Sequence, residues 1–296
     1  MKIGTCRYRD KEHVFVTDGE TAYLPALDPS LEHPEYQSVL RLIEAGPAAW
    51  KELAKWAQGA PQSTRETLND LELLAPIPKP TKNVMCLGWN YSEHISETAE
   101  AAVRKADLPQ YPVVFTKSVT SVTGPFSDIP YDKSVSQEID WEVELGVVIG
   151  TPAHKLTKQE ALACIFGYTI INDVSARDLQ FRHEQFFIGK SLPGACPIGP
   201  WIVTADGISD PQNLDLRCLV NSEIKQSSNT RYMIFDIATT IEILSKCMVL
   251  EPGDIIATGT PSGVGFTRKP PQFLAPGDVV ECEVAEIGVI RNRIVG

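Results

Sequence analysis

Asp140-Trp141-Glu142-Val143-Glu144-Leu145-Gly146-Val147-Val148-Ile149-Gly150 is the stretch on which the reading of this chain turns. The apolar run Leu145 to Ile149 between glycines predicts a buried β-strand. Side chains alternate faces along a strand, so Glu142 and Glu144 point one way and Val143 and Leu145 the other. Asp140 shares the acidic face. Carboxylates crowded on an apolar strand repel one another and are costly to bury unpaired. A hard divalent cation such as Mg²⁺ or Mn²⁺, which takes oxygen ligands, removes that cost. The plainer alternative is a half-exposed strand whose acidic face is solvated.

Outward from this strand the chain is rich in short strands punctuated by Gly and Pro. Runs at 84–87, 113–115, 201–203, 216–220, 254–258 and 279–284 read as strands, and helical patterns cover 93–105, 158–166 and 233–247. The fold class expected is α+β, β-rich, without sustained βαβ alternation. The first part of the chain differs. It has a hairpin signal at Asp18-Gly19, and helical spacing from Tyr36 to Gln58 broken at Gly46-Pro47. The alternating prolines of Pro76, Pro78 and Pro80 favour extended chain. The expected division is a small amino-terminal domain, 1–76, that carries no recognisable chemistry, followed by a catalytic domain, 77–296.

The net charge of −11 argues against nucleic acid or an anionic membrane as partner. An anionic substrate would need local cations to offset that field. Seven scattered cysteines without C-x-x-C spacing fit reduced thiols rather than a disulfide framework or a zinc site. No apolar run approaches membrane length and no leader is evident, so a cytoplasmic protein is expected.

Four further segments carry possible chemistry. His94 and Glu97 fall at i, i+3 on one helical face, where a carboxylate orients an imidazole and raises its basicity. A surface histidine with a helical neighbour is the plainer alternative. Asp173 ends a strand and could complete a three-carboxylate site, with Arg177 and Gln180 in the turn beyond; an Asx turn and a structural ion pair explain them equally well. Lys190, in Gly189-Lys190-Ser191, could neutralise charge near the carboxylates, though a lone lysine is ordinarily solvated. The loop with Gly259, Gly263 and Gly265 could bring backbone N–H groups and the Thr260 hydroxyl up to an anionic ligand, or be a set of tight turns.

Taken in order, these segments resemble the fumarylacetoacetate hydrolase family. The matching stretches are Gly-Trp-Asn-Tyr-x-x-His-x-x-Glu, Asp-Trp-Glu-Val-Glu-Leu, Gly-Tyr-Thr-Ile-Ile-Asn-Asp-Val-Ser-Ala-Arg-Asp, Gly-Lys-Ser, Cys-Pro-Ile-Gly-Pro-Trp, Thr-Gly-Thr-Pro-Ser-Gly-Val-Gly and Leu-Ala-Pro-Gly-Asp-Val-Val, spanning roughly residues 82 to 296. The resemblance implies a mixed β-sandwich roll, here with a small amino-terminal α/β domain, usually dimeric, that binds Mg²⁺ or Mn²⁺. It places the metal ligands on Glu142, Glu144 and Asp173, and a water-activating pair on His94 and Glu97 within a lid. It puts catalytic charge stabilisation on Lys190 and substrate contacts on Arg177, Gln180 and Thr260. Three departures stand out. Leu192-Pro193-Gly194-Ala195 replaces an Asp-Thr pair, Trp89 stands where Arg or Leu is more usual, and Leu87 stands where a fourth acidic ligand would be. The last points to the three-carboxylate branch of acylpyruvases, oxaloacetate decarboxylases and related isomerases. The activity expected is hydrolysis of a C–C bond in an acylpyruvate-type 1,3-dicarbonyl acid, a 2-oxo acid, through a metal-stabilised pyruvate enolate. Decarboxylation of oxaloacetate, or hydration or isomerisation of a dienoate from aromatic catabolism, are the alternatives.

Overall fold

The computed structural model describes residues 1–31, 33–100 and 107–296. The acidic stretch is the middle of the molecule. Every residue of the strand Val143–Ile149 is buried, between the antiparallel strands Ile165–Asn172 and Ile255–Ala257. They belong to a twelve-stranded sheet. Beyond Ile255–Ala257 come Val84–Gly88, in parallel, and then Val113–Lys117. On the other side come Cys196–Thr204 and Lys2–Tyr8. A five-stranded second sheet contains Asp215–Val220, Val279–Val284 and Gly288–Val295. The fold is thus the strand-rich α+β class expected, a mixed assembly of stacked open sheets.

Alternation sorts the central strand between two cores. Val143, Leu145, Val147 and Ile149 pack with Leu216, Val280 and Ile290 of the second sheet. Val148, on the opposite face with the glutamates, packs with Val84, Cys86 and the helical Leu42, Ile43 and Leu53. Each such apolar side chain contributes about 1.5–3 kcal/mol when fully buried, which offsets the cost of holding carboxylates between them.

The amino-terminal hairpin forms as Lys11–Thr17 against Thr21–Tyr23, and Gly46, at φ +85°, separates the helices Val39–Ala45 and Pro47–Gln58. Strands before residue 77 continue the large sheet, since Lys2 and Ile3 pair with Val203 and Ile202. Elsewhere helices are shorter than their periodicity suggests. The one expected over 158–166 runs only Lys158–Ala161 before a 3₁₀ turn, because Ile165 is claimed by the strand beside the acidic one. The one expected over 233–247 runs Ile237–Cys247, capped by Asp236. The helix expected over 93–105 is seen as Ser92–Glu100; the rest of its expected span, 101–105, lies outside the described residues. Among the described residues no helix is long and apolar enough to cross a membrane.

Candidate active site

Strand register brings the acids together. Val143 pairs with Asn172 and Glu144 with Ile171, and the Asp173 N–H donates to the Glu142 carbonyl at 2.9 Å. Asp173, just past its strand's end, therefore stands beside Glu142, and carboxylate oxygens of Glu142, Glu144 and Asp173 all lie within 4.8 Å of one another. All three side chains are buried.

Three buried cations meet this cluster. Lys190 Nζ donates to Glu142 Oε2 at 2.7 Å and to Asp173 Oδ2 at 2.8 Å. Lys117 Nζ donates to Asp173 Oδ1 at 2.6 Å and to the Val174 carbonyl at 3.0 Å. Arg177 Nη1 lies 2.7 Å from Glu142 Oε1, and its Nε donates to Asp140 Oδ2 at 2.8 Å. Asp140 is thus an outer neighbour that orients Arg177. Burial pushes the Glu142 carboxyl up, but Lys190 and Arg177 outweigh it and hold it down at about 2. Glu144 is different. Burial, then the charges of Asp173 and Glu142, push it well above the usual carboxylate range, and its one hydrogen bond among the described residues is from the Gly259 N–H at 2.7 Å.

That imbalance tests the fit of a metal. Asp140, Glu142, Glu144 and Asp173 face three cations, and no ion pair reaches Glu144 among the described residues. A buried carboxylate left without a cation, in a set offering only oxygen donors, suits a hard divalent ion. Glu142, Glu144 and Asp173 would hold it.

The helix Ser92–Glu100 brings a histidine to the same place. His94, buried in the first turns of Ser92–Glu100, has Nδ1 2.7 Å from Glu97 Oε1, and lines a cavity with Glu142, Arg177, Gln180, Lys190 and Thr260. Gln180 Oε1 accepts from Arg177 Nη1 at 2.9 Å. The Thr260 hydroxyl donates to the Val143 carbonyl and accepts from Gln226 Nε2, each at 2.9 Å. All nine residues singled out from the sequence therefore fall in one place. Arg177 Nη2 is buried without a hydrogen-bond partner among the described residues.

The glycine loop works differently from expectation. Its N–H groups serve the site's own carboxylates rather than an external anion: Gly259 donates to Glu144 at 2.7 Å, Gly263 to Glu97 Oε2 at 2.9 Å, and Gly265 to Asp140 Oδ1 at 2.7 Å. Gly263 sits at φ +103°, and a Cβ there would lie 2.2 Å from the Lys225 carbonyl oxygen, so glycine is required. Lys117 went unnoticed in the sequence, as did Phe115, Phe181, Phe186 and Phe266, which with Trp89 form the aromatic side of the cavity. A lysine closing a strand carries no local signal of a buried partner 56 residues away.

The family model for the fumarylacetoacetate (FAA) hydrolase C-terminal region matches residues 83–295. The chain belongs to the fumarylacetoacetate hydrolase family. It is 46% identical over 247 residues to "Oxaloacetate tautomerase YisK" of Bacillus subtilis (strain 168), covering 82% of this chain and 81% of that protein. Among solved structures, the fumarylacetoacetate hydrolase of Exiguobacterium antarcticum superposes with a TM-score of 0.84 at 38% identity, covering 100% of this chain and 99% of that one. The maleylpyruvate hydrolase of Sphingobium sp. SYK-6, solved with manganese(II) and pyruvate, gives 0.78 at 26% identity, covering 100% and 99%. The chain is an enzyme of a family that acts with a divalent metal, and its Glu142, Glu144 and Asp173 form an acidic site suited to one.

Proposed function

We propose that this enzyme interconverts the keto and enol forms of a short 2-oxo acid of the oxaloacetate type, with Mg²⁺ or Mn²⁺ at Glu142, Glu144 and Asp173. The observation that carries the reading is a buried three-carboxylate cluster flanked by a lysine and a histidine–glutamate pair, in a chain whose similarity to a named oxaloacetate tautomerase is high. When bound, the cation supplies Lewis-acid polarisation of the substrate's oxygens.

The chain's own residues do the rest. With Nδ1–H donating to Glu97, His94 keeps Nε2 free to take the proton from C3, and the same proton is delivered to the C2 oxygen as the C2–C3 double bond forms. Negative charge growing on that oxygen is met by the Lys190 ammonium, which its carboxylate neighbours hold protonated despite its burial. Arg177, its Nη2 without a hydrogen-bond partner among the described residues, receives a substrate carboxylate, and Gln180 holds the guanidinium in place. Those cations answer the need set by the chain's net negative charge.

C–C hydrolysis of an acylpyruvate is the second reading, favoured by the same His94–Glu97 pair, which could instead deprotonate water to attack the distal carbonyl; decarboxylation of oxaloacetate needs the pair least. Supplying enol-oxaloacetate, oxaloacetate and acetylpyruvate with Mn²⁺ separates the three. Tautomerisation changes enol absorbance without releasing pyruvate; hydrolysis or decarboxylation releases it. Pyruvate release faster than enol loss would overturn the first reading in favour of one of the others.

A further inference from the structure

Trp89 is the departure from the family pattern that the chemistry above leaves unused. Its backbone sits at φ +54°, a conformation a bulky residue adopts only when its surroundings impose it. They do here: Asn90 is fully buried, donating to the Phe235 and Thr258 carbonyls at 3.0 and 2.8 Å while accepting from the Phe235 N–H at 2.8 Å. The indole is thereby fixed at the cavity, edge-on to Phe186 with ring centres 5.4 Å apart. Phe186 also meets Phe115 edge-on at 5.5 Å, and Phe115 lies 5.1 Å beneath the Lys190 ammonium. The aromatic wall therefore abuts the catalytic charges directly.

The cavity so enclosed measures about 20 Å³, room for little more than one water molecule. A 2-oxo acid enters only if part of the wall yields. Trp89 is held by its backbone and Phe115 lies in the strand Val113–Lys117. Of these three rings Phe186, half-buried between exposed neighbours, Gln185 and Phe187, is the one that gives way most cheaply. Resting on the 2-oxo acid reading above, we infer that Phe186, backed by Trp89, is the specificity-determining residue that sets the chain length this site admits. Each carbon beyond the 2-oxo acid core pushes the ring further from its two aromatic partners.

The test is calorimetric binding of unbranched 2-oxo acids, from 2-oxobutanoate to 2-oxooctanoate, to the Mn²⁺-loaded protein, with oxaloacetate tautomerisation assayed alongside. Wild type should bind progressively more weakly as the chain lengthens. Phe186→Ala and Trp89→Gly should raise the affinity ratio of 2-oxooctanoate to 2-oxobutanoate by at least about tenfold, the scale at which apolar pockets discriminate methylenes. Glycine accepts the positive φ at position 89, so that variant is not penalised at the backbone. A ratio unchanged in both variants with Mn²⁺ binding intact overturns the inference, as does an equal loss for every acid, which would mark the rings as structural. Wild type that binds the acids but leaves oxaloacetate at its background rate would sink the tautomerase reading alone, and the length series would still decide the role of Phe186. Wild type that binds none of these acids would sink both.

Discussion

Lys117 donates to Asp173 Oδ1 at 2.6 Å with neither side chain reached by solvent, while Lys190 takes the other oxygen. Asp173 is held from both sides before any metal arrives. Removing one partner of a buried ion pair costs about 3–5 kcal/mol, so Lys117→Met should unfold at distinctly lower temperature than wild type in metal-free buffer. Taking away a positive charge also makes Asp173 more attractive to a cation. Added Mn²⁺ should therefore raise the unfolding temperature of the variant by more than that of wild type; an equal or smaller increment would show that Lys117 does not compete with metal at Asp173.

Metal binding should be strongly pH-dependent. Glu144 is raised well above the usual carboxylate range by burial and by Asp173 and Glu142, so in the metal-free protein it holds its proton to higher pH than a free carboxyl. Ligation requires the anion, so Mn²⁺ must displace that proton. Affinity should rise with pH while Glu144 titrates, and calorimetry in buffers of different ionisation enthalpy should register proton release. A flat affinity from acid to neutral pH would contradict the assignment of Glu144 as the uncompensated ligand.

His94→Ala should lower turnover by roughly 10²–10⁴, the usual worth of a positioned acid–base group, while leaving Mn²⁺ affinity within experimental error of wild type. Glu97→Gln should lower turnover while sparing Mn²⁺ affinity, because the Glu97 carboxylate, 2.7 Å from Nδ1, orients the imidazole. Unchanged turnover would reduce Glu97 to a structural contact.

Gly263→Ala tests the loop. Its positive φ and the 2.2 Å approach of a Cβ to the Lys225 carbonyl should displace the N–H that Glu97 accepts, so turnover should fall while metal affinity holds. Strain of this kind costs of order 1–3 kcal/mol, seen as a lower unfolding temperature. Wild-type behaviour on both counts would mean the loop relaxes without disturbing the helix Ser92–Glu100.

What could be read from the sequence followed spacing. Glu142 and Glu144 two apart on a strand, and His94 and Glu97 three apart on a helix, declare their shared faces locally. Asp173, Lys190 and the glycine loop became legible through their order along the chain. Pairings made by register left no trace. Lys117 with Asp173, and Asp140 with Arg177 across 37 residues, depend on which strands lie side by side, as does the joining of Lys2 and Ile3 to Val203 and Ile202. The helix at Lys158–Ala161 shows tertiary pairing overriding periodicity. Residue type misled at the glycine loop, where N–H groups free to meet a ligand are taken by Glu97, Asp140 and Glu144. It was silent at Trp89, since tryptophan gives no hint of a left-handed backbone.

The most direct test of the metal-dependent enolisation proposed here is the rate of enol-oxaloacetate loss, followed by ultraviolet absorbance, in protein stripped of metal and then reloaded with Mn²⁺. Stripped protein should run at the buffer rate, and Mn²⁺ should restore catalysis to wild type. Glu144→Gln should stay at the buffer rate at Mn²⁺ concentrations that saturate wild type. Full catalysis by the stripped protein, or equal restoration of Glu144→Gln, would contradict it.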